Sequence, residues 1–178
     1  MTRFRASVLR RSVAIGWFAV IVLAGQAVRT SVYGEPRFLV PIVTIALLLV
    51  MSALADWDGL MEKPFAGWIS WGWIVGVTLS TGVIATVSEL SLVCQPIFFA
   101  LVALSGLVLE RPKHAFVSIL AAGLVMIGAL MAGTADDWTQ IFVPFMSLGT
   151  VAVATSLLGI EFERAVERSN QRLRQLQR

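Results

Sequence analysis

The chain of 178 residues is poor in charge and poor in the side chains that build reactive sites. Asp, Glu, Lys and Arg together make up 14% of it, where a soluble domain carries nearer a quarter. A single cysteine, Cys94, excludes an internal disulfide, and a single histidine, His114, argues against a histidine-based metal cluster. The sequence holds no Walker loop, no HExxH, no carboxylate pair at helical spacing in a candidate site and no Ser/His/Asp set. No catalytic residue, metal or cofactor is therefore expected, and the chain as it stands reads as non-enzymatic. No Asp, Glu, Lys or Arg lies near the middle of a long apolar run, which removes the group that proton- or ion-coupled transporters usually need.

What is present is apolar sequence. The chain is 57% hydrophobic, with a mean hydropathy of +0.82. Six runs stand out, at about residues 12–28, 38–55, 66–87, 90–109, 115–133 and 138–160. Each is about the length a helix needs to cross hydrocarbon. The expected fold is all-α and polytopic, a six-helix transmembrane bundle over residues 1–160. A polar, coiled-coil-like helix over 161–178 follows directly on the last crossing. The third and fourth runs are separated by little more than Ser88 and Glu89, which forces antiparallel neighbours.

The net charge of +3 does not point to nucleic acid, because the basic residues sit at the chain ends and in short loops. Six crossings with the amino terminus inside leave only Arg29 and Arg37, of 14 basic residues, on the outer side. That bias orients the protein in a cell (inner) membrane with both termini cytoplasmic. The loop Asp56–Lys63 is acidic yet falls inside, and acids count little in this rule. The first run, with its basic start and the small residues around Ala24–Ala27, also has the layout of a cleavable signal peptide. Trp68, Trp71 and Trp73, with Trp57 and Phe65 just before them, form an expected interfacial aromatic belt.

Pro41, Pro96 and Pro144 fall in the even-numbered runs, near their outer ends. Each removes a backbone hydrogen bond and can kink its helix. One reading is an outward-facing cavity bordered by Gln95, Gln140 and the three prolines; the other is ordinary membrane-helix packing. Gln95 carries an amide that lipid cannot satisfy, which makes it the first candidate for a ligand or gating contact. Cys94 beside it is either a redox sensor or, as buried cysteines more often are, a small hydrophobe. Thr78, Ser80, Thr81, Ser105, Ser147 and Thr150 can bond to their own helices' carbonyls. Gly72, Gly76 and Ser80 make a small-residue stripe at four-residue spacing, which either seats a neighbour within the bundle or mediates dimerisation. Gly123, Gly128 and Ala132 are expected to serve packing in the same way. His114, beside Lys113, is expected in a solvated loop.

In the last stretch, Phe162, Val166, Ser169, Leu173 and Leu176 follow the 4, 3, 4, 3 spacing of a heptad seam. The alternative is a basic helix lying on anionic lipid, but these residues make a narrow seam rather than a broad face. The seam is too short to hold a dimer alone in water. A homodimer through the tail would need the membrane helices to bring the two tails together, and Ser169 would keep the contact easy to rearrange.

Six short-looped crossings followed by Phe162-Glu163-Arg164-Ala165-Val166-Glu167-Arg168-Ser169-Asn170-Gln171-Arg172-Leu173-Arg174-Gln175-Leu176 resemble the membrane input region of bacterial signalling proteins. Such a helix leads into the catalytic part of sensor histidine kinases and of membrane-bound diguanylate or adenylate cyclases. The phosphoacceptor histidine block, the GGDEF block and the cyclase domain do not occur in this sequence, so an output domain is expected beyond Arg178 or on a separate partner protein. The resemblance implies a homodimer whose bundle senses a membrane or external cue and moves the tail. The alternative expectation is a small transporter or channel subunit using a cavity near Gln95.

Overall fold

The computed structural model describes residues 2–87, 90–131 and 138–176, and within them all side chains except those of 2–6, 15, 61, 138–141, 162, 163, 167, 170, 172–174 and 176. The described residues form helices with no strand. In chain order these are α1 (Thr2–Thr30), α2 (Pro36–Leu54), α3 (Trp57–Met61), α4 (Ala66–Ala85), α5 (Ser91–Val108), α6 (Arg111–Met131) and α7 (Trp138–Leu176). All but α3 are long and apolar enough to cross a membrane, so the expected all-α polytopic fold is what forms.

The helix boundaries follow local chemistry. α1 stops where Ser31 takes a left-handed backbone (φ 60), which lets the Val32 N–H donate to the Ala27 carbonyl at 3.1 Å and satisfy a terminal acceptor. Pro36 opens α2 at its first position, where a missing N–H costs nothing. The loop between α2 and α4 contains α3, a turn of helix that periodicity does not reveal. Asp56 caps it, its side chain accepting from the Gly59 N–H. The buried Trp57 indole donates to the Ser52 carbonyl at 2.8 Å, so a carbonyl in the last turn of α2 gains a partner.

This corner also answers the charge puzzle of the Asp56–Lys63 loop. Arg10 of α1 pairs with Asp58 of α3 at 2.8 Å, which places the loop at the same end of the bundle as the amino terminus. Both partners are more than half exposed, so the pair locates the loop rather than stabilising it greatly.

The helices are not packed evenly. α5 touches α1, α4, α6 and α7, and α4 touches α2, α3, α5 and α6. Among the described residues α7 rests only on α5 and α6, and α1 packs on α2, α3 and α5 without reaching α4. The α4–α6 crossing is close: a Cβ on Gly128 would stand 3.1 Å from the Ala85 carbonyl oxygen, and one on Gly82 would stand 2.6 Å from Leu124. α7 runs unbroken for 39 residues, about 58 Å at 1.5 Å per residue, nearly twice the roughly 30 Å of hydrocarbon.

The aromatic belt is thinner than its sequence suggests. Trp68 and Phe65 are exposed, but Trp57 and Trp73 are buried in the bundle. Lys113 of α6 sits 4.7 Å from the Trp68 ring centre. Trp71 stacks edge-on to Trp68 at 5.6 Å and lies tilted against Phe116 at 5.8 Å. These rings knit the starts of α4 and α6 together.

Candidate functional site

Because α1 stands off α4, the bundle holds a cavity of about 430 Å³ between them, a size that suits a small amphiphile. Ser12, Gly16, Ala19 and Leu23 wall it on α1, and Ile45 and Leu49 on α2. Trp73, Val77 and Thr81 come from α4, and Pro96, Ile97, Ala100 and Leu104 from α5. Gly16 packs tightly against the end of the Leu49 side chain. The wall is almost wholly apolar. Its hydroxyls are turned to their own helices: Ser12 donates to the Leu9 carbonyl at 2.7 Å and Thr81 to the Val77 carbonyl at 2.8 Å. The indole Nε1 of Trp73 is buried with no hydrogen-bond partner, although buried donors are normally paired. The Trp71 Nε1 is also unpaired, but it belongs to the ring cluster with Trp68 and Phe116, outside the cavity wall, where ring faces serve as weak acceptors.

The opposite face of α5 seats α7. A Cβ on Gly106 would lie 2.7 Å from the Cβ and Oγ1 of Thr155, and a Cβ on Gly159 would lie 3.1 Å from the Gly106 carbonyl oxygen. The two backbones therefore approach as closely as small residues allow. Beside this crossing lies His114, which is not in a solvated loop. Pro112 occupies the first turn of α6, so the segment read as a loop is already helical by His114, whose ring is buried. Its Nε2 faces the Ala152 carbonyl of α7 at 3.1 Å and its Nδ1 faces the Ser105 hydroxyl of α5 at 2.7 Å. A carbonyl cannot donate, so Nε2 donates to Ala152. The same hydroxyl also lies 2.7 Å from the Val102 carbonyl. One imidazole thus joins three helices.

The residues singled out by sequence do not gather at one place. Pro96 lines the cavity, but Pro41 and Pro144 are buried elsewhere, and α2, α5 and α7 continue as helix through all three prolines. Gln95 faces away from the cavity, into a crevice of about 10 Å³ shared with Ala85, Phe98 and Gly128, room for one water at most. The Gln140 side chain lies outside the described residues. Cys94 is fully buried. Thr78, Thr81, Ser147 and Thr150 each bond to the carbonyl four residues back, while Ser105 is drawn into the His114 junction. In the glycine stripe, Gly72 has nothing within 4 Å of a Cβ position, and Gly76 meets Leu48 of α2 at 3.4 Å, an ordinary contact. Gly123 likewise meets nothing, and Ala132 lies outside the described residues. Of the expected packing glycines, Gly128 does sit at a close crossing, against Ala85, and the other close approaches are Gly82 with Leu124 and Gly106 with Gly159 and Thr155.

Of the tail seam, the Phe162, Leu173 and Leu176 side chains lie outside the described residues. Val166 is half-buried and Ser169 exposed. Val166 is five full turns from Leu148 at 3.6 residues per turn, and Leu148 is buried against the bundle. Val166 therefore lies on the stripe by which α7 packs on its own bundle.

The fold and the apolar helices define a multi-pass membrane protein. In comparisons with protein-family models, curated proteins and solved structures, nothing matches the chain.

Proposed function

We propose that this chain is a membrane sensory or input module that passes a membrane or extracellular signal through α7 to a cytoplasmic output domain or partner protein. The observation that carries this reading is the position of α5. One face of α5 walls the apolar cavity through Pro96, Ile97 and Ala100; the other holds α7 through Gly106 and Ser105. An occupant that shifts α5 moves the seat of α7, and a helix that continues well past the hydrocarbon carries the displacement outward. Both termini are cytoplasmic in this proposal, in a bacterial inner membrane, and two copies pair through their tails. A small transporter or channel subunit with a cavity near Gln95 is the competing reading, and the one-water crevice beside that residue lends it no support.

The test is a nitroxide on Gln171→Cys in the full chain, read by electron paramagnetic resonance in bilayers. Ala100→Phe, which fills the cavity without touching α7, should change the mobility or the distance distribution of the label. Identical spectra with the cavity open and filled would sink the reading.

A further inference from the structure

We infer that the His114 junction is a proton-binding site, and that α7 is held more tightly when the proton is on. The junction is one hydrogen short. The ring and the Ser105 hydroxyl make three close contacts: Nε2 to the Ala152 carbonyl at 3.1 Å, Nδ1 to the Ser105 Oγ at 2.7 Å, and that Oγ to the Val102 carbonyl at 2.7 Å. Each is a hydrogen-bond distance. A neutral imidazole brings one N–H and the hydroxyl brings one O–H, so two hydrogens face three contacts. The Nε2 hydrogen is committed to Ala152. Turned to Val102, the hydroxyl leaves lone pairs opposed at Nδ1; turned to Nδ1, it gives up Val102. A proton on Nδ1 removes the conflict. Nδ1–H then donates to the Ser105 oxygen, the hydroxyl donates to Val102, and Nε2–H still donates to Ala152, with the ring where it stands.

The proton has a short way in, and its effect falls on α7. His114 is buried, but Glu110 and Arg111, about one turn away, are exposed. Histidine is the side chain that ordinarily exchanges its proton between about pH 5 and 8. Once charged, the ring holds the Ala152 carbonyl by a charge-assisted bond, roughly twice as strong as a neutral one. That bond is the one that reaches α7.

No element packed on α6 brings a carboxylate to the ring among the described residues. α4 carries no ionisable side chain, and α5 carries only the buried Cys94 thiol, eleven residues before Ser105. On α6 itself, Arg111 and Lys113 repel a charge on the ring, and Glu110 lies 3.6 Å from Lys113. On α7 the first ionisable residue past Ala152 is Glu161, nine residues on, which pairs with Arg164 at 2.8 Å; the side chain of Glu163 lies outside the described residues. Neutral oxygens therefore hold the proton, and the two neighbouring cations keep it removable.

His114 is the single histidine of the chain, so its ring is read without overlap. The full chain carrying nitrogen-15 histidine is placed in phosphatidylcholine bilayers, and solid-state NMR follows the two ring nitrogens from about pH 8 down to about pH 5. Nδ1 should pass from a bare to a protonated nitrogen while Nε2 stays protonated throughout. Ser105→Ala, which takes away the Nδ1 acceptor, should weaken proton binding about fivefold. Over the same range the nitroxide on Gln171→Cys should lose mobility, and His114→Gln, which keeps an N–H but binds no proton, should abolish that response.

The nitrogen spectrum is read on the wild type and needs no variant to fold. A ring that stays neutral at about pH 5 or stays charged at about pH 8 overturns the proposal, as does a proton exchanged at Nε2 instead of Nδ1. So does unchanged proton binding in Ser105→Ala, or a pH response that survives in His114→Gln. A ring that takes up the proton while the Gln171 label keeps or gains mobility overturns it too. The use of the joint in signalling rests on the sensory reading above, and the two fail separately. A label that follows pH but ignores Ala100→Phe leaves the proton site standing and sinks that reading.

Discussion

The imidazole of His114 reaches from the first turn of α6 to the backbone of α7, its Nε2 3.1 Å from the Ala152 carbonyl. With Ser105 on its other nitrogen, it fixes α7 against α5 and α6 at the depth where Gly106 meets Thr155. A helix that is to move as an output element must be held at some such joint, because among the described residues α7 touches no other helix.

Removing the joint should loosen α7. His114→Leu fills the space but leaves the Ser105 hydroxyl with only the Val102 carbonyl and strips α7 of its tie. The expected cost is about 1–3 kcal/mol, the range for deleting one side of a buried hydrogen bond. It would be read as a lowered thermal midpoint in detergent together with increased mobility of a label at Gln171. A variant that matches the wild type in both would show that the ring is only filler.

The glycine crossings give a paired prediction. Gly106→Ala places a methyl 2.7 Å from Thr155, and α5 and α7 must separate to admit it; overpacking of this kind costs about 1–3 kcal/mol. Gly72→Ala meets nothing and should be neutral or stabilising by up to about 1 kcal/mol, the helix-propensity difference. Thermal unfolding of both variants side by side decides it. The reverse order would mean that the Gly72 stripe, not the α5–α7 crossing, carries the tight packing.

The spans were legible because each apolar run is bounded by charge, Gly or Pro, and a helix in lipid has few other choices. Which helices touch was not, since apolar residues surround every span and periodicity does not name a neighbour. Gly106 and Gly159 are 53 positions apart, and nothing local marks them as a pair. The cavity went unseen for the same reason: Ala19, Val77 and Ala100 look like any lipid-facing residues until α1 is found standing off α4. His114 was misread because Glu110-Arg111-Pro112 has the composition of a loop. The available signal was Pro112, which suits a first helical turn as well as a turn. Gln95 carries an amide at membrane depth, but its helix turns it toward the α4–α6 seam rather than the open space.

The corner around Trp57 should hold the end of α2. Trp57→Phe keeps a benzene ring but removes the indole N–H, and with it the 2.8 Å bond to the Ser52 carbonyl, along with part of a buried ring. A loss of about 1 kcal/mol is expected, seen as a lower thermal midpoint. An unchanged midpoint would mean that the carbonyl finds another donor.

The proposed orientation makes a direct prediction. Lys63→Cys and Gln171→Cys should resist a membrane-impermeant maleimide in intact cells and react once the cells are opened, while Tyr33→Cys, in the α1–α2 loop, should react at once. Cys94 is fully buried and should stay silent in all three. Labelling of Lys63→Cys from outside would invert the protein and remove the cytoplasmic tail on which the sensory reading depends.

The phase of α7 decides how two copies can meet. Val166 shares its face with Leu148, which is buried against the bundle. Leu157, nine residues before Val166 and so half a turn away, is 58% exposed. If the tails pair through their seam, Val166→Cys, Leu173→Cys and Leu176→Cys should cross-link in membranes, and Arg168→Cys, Gln175→Cys and Leu157→Cys should not. The tails would then meet on the side where α5 and α6 lie, with each α7 turning its apolar outer face to lipid. Cross-linking of Leu157→Cys without Val166→Cys would place the contact on that outer face, inside the membrane. The heptad spacing of the tail would then be a surface for a different helix, supplied by the partner that receives the signal.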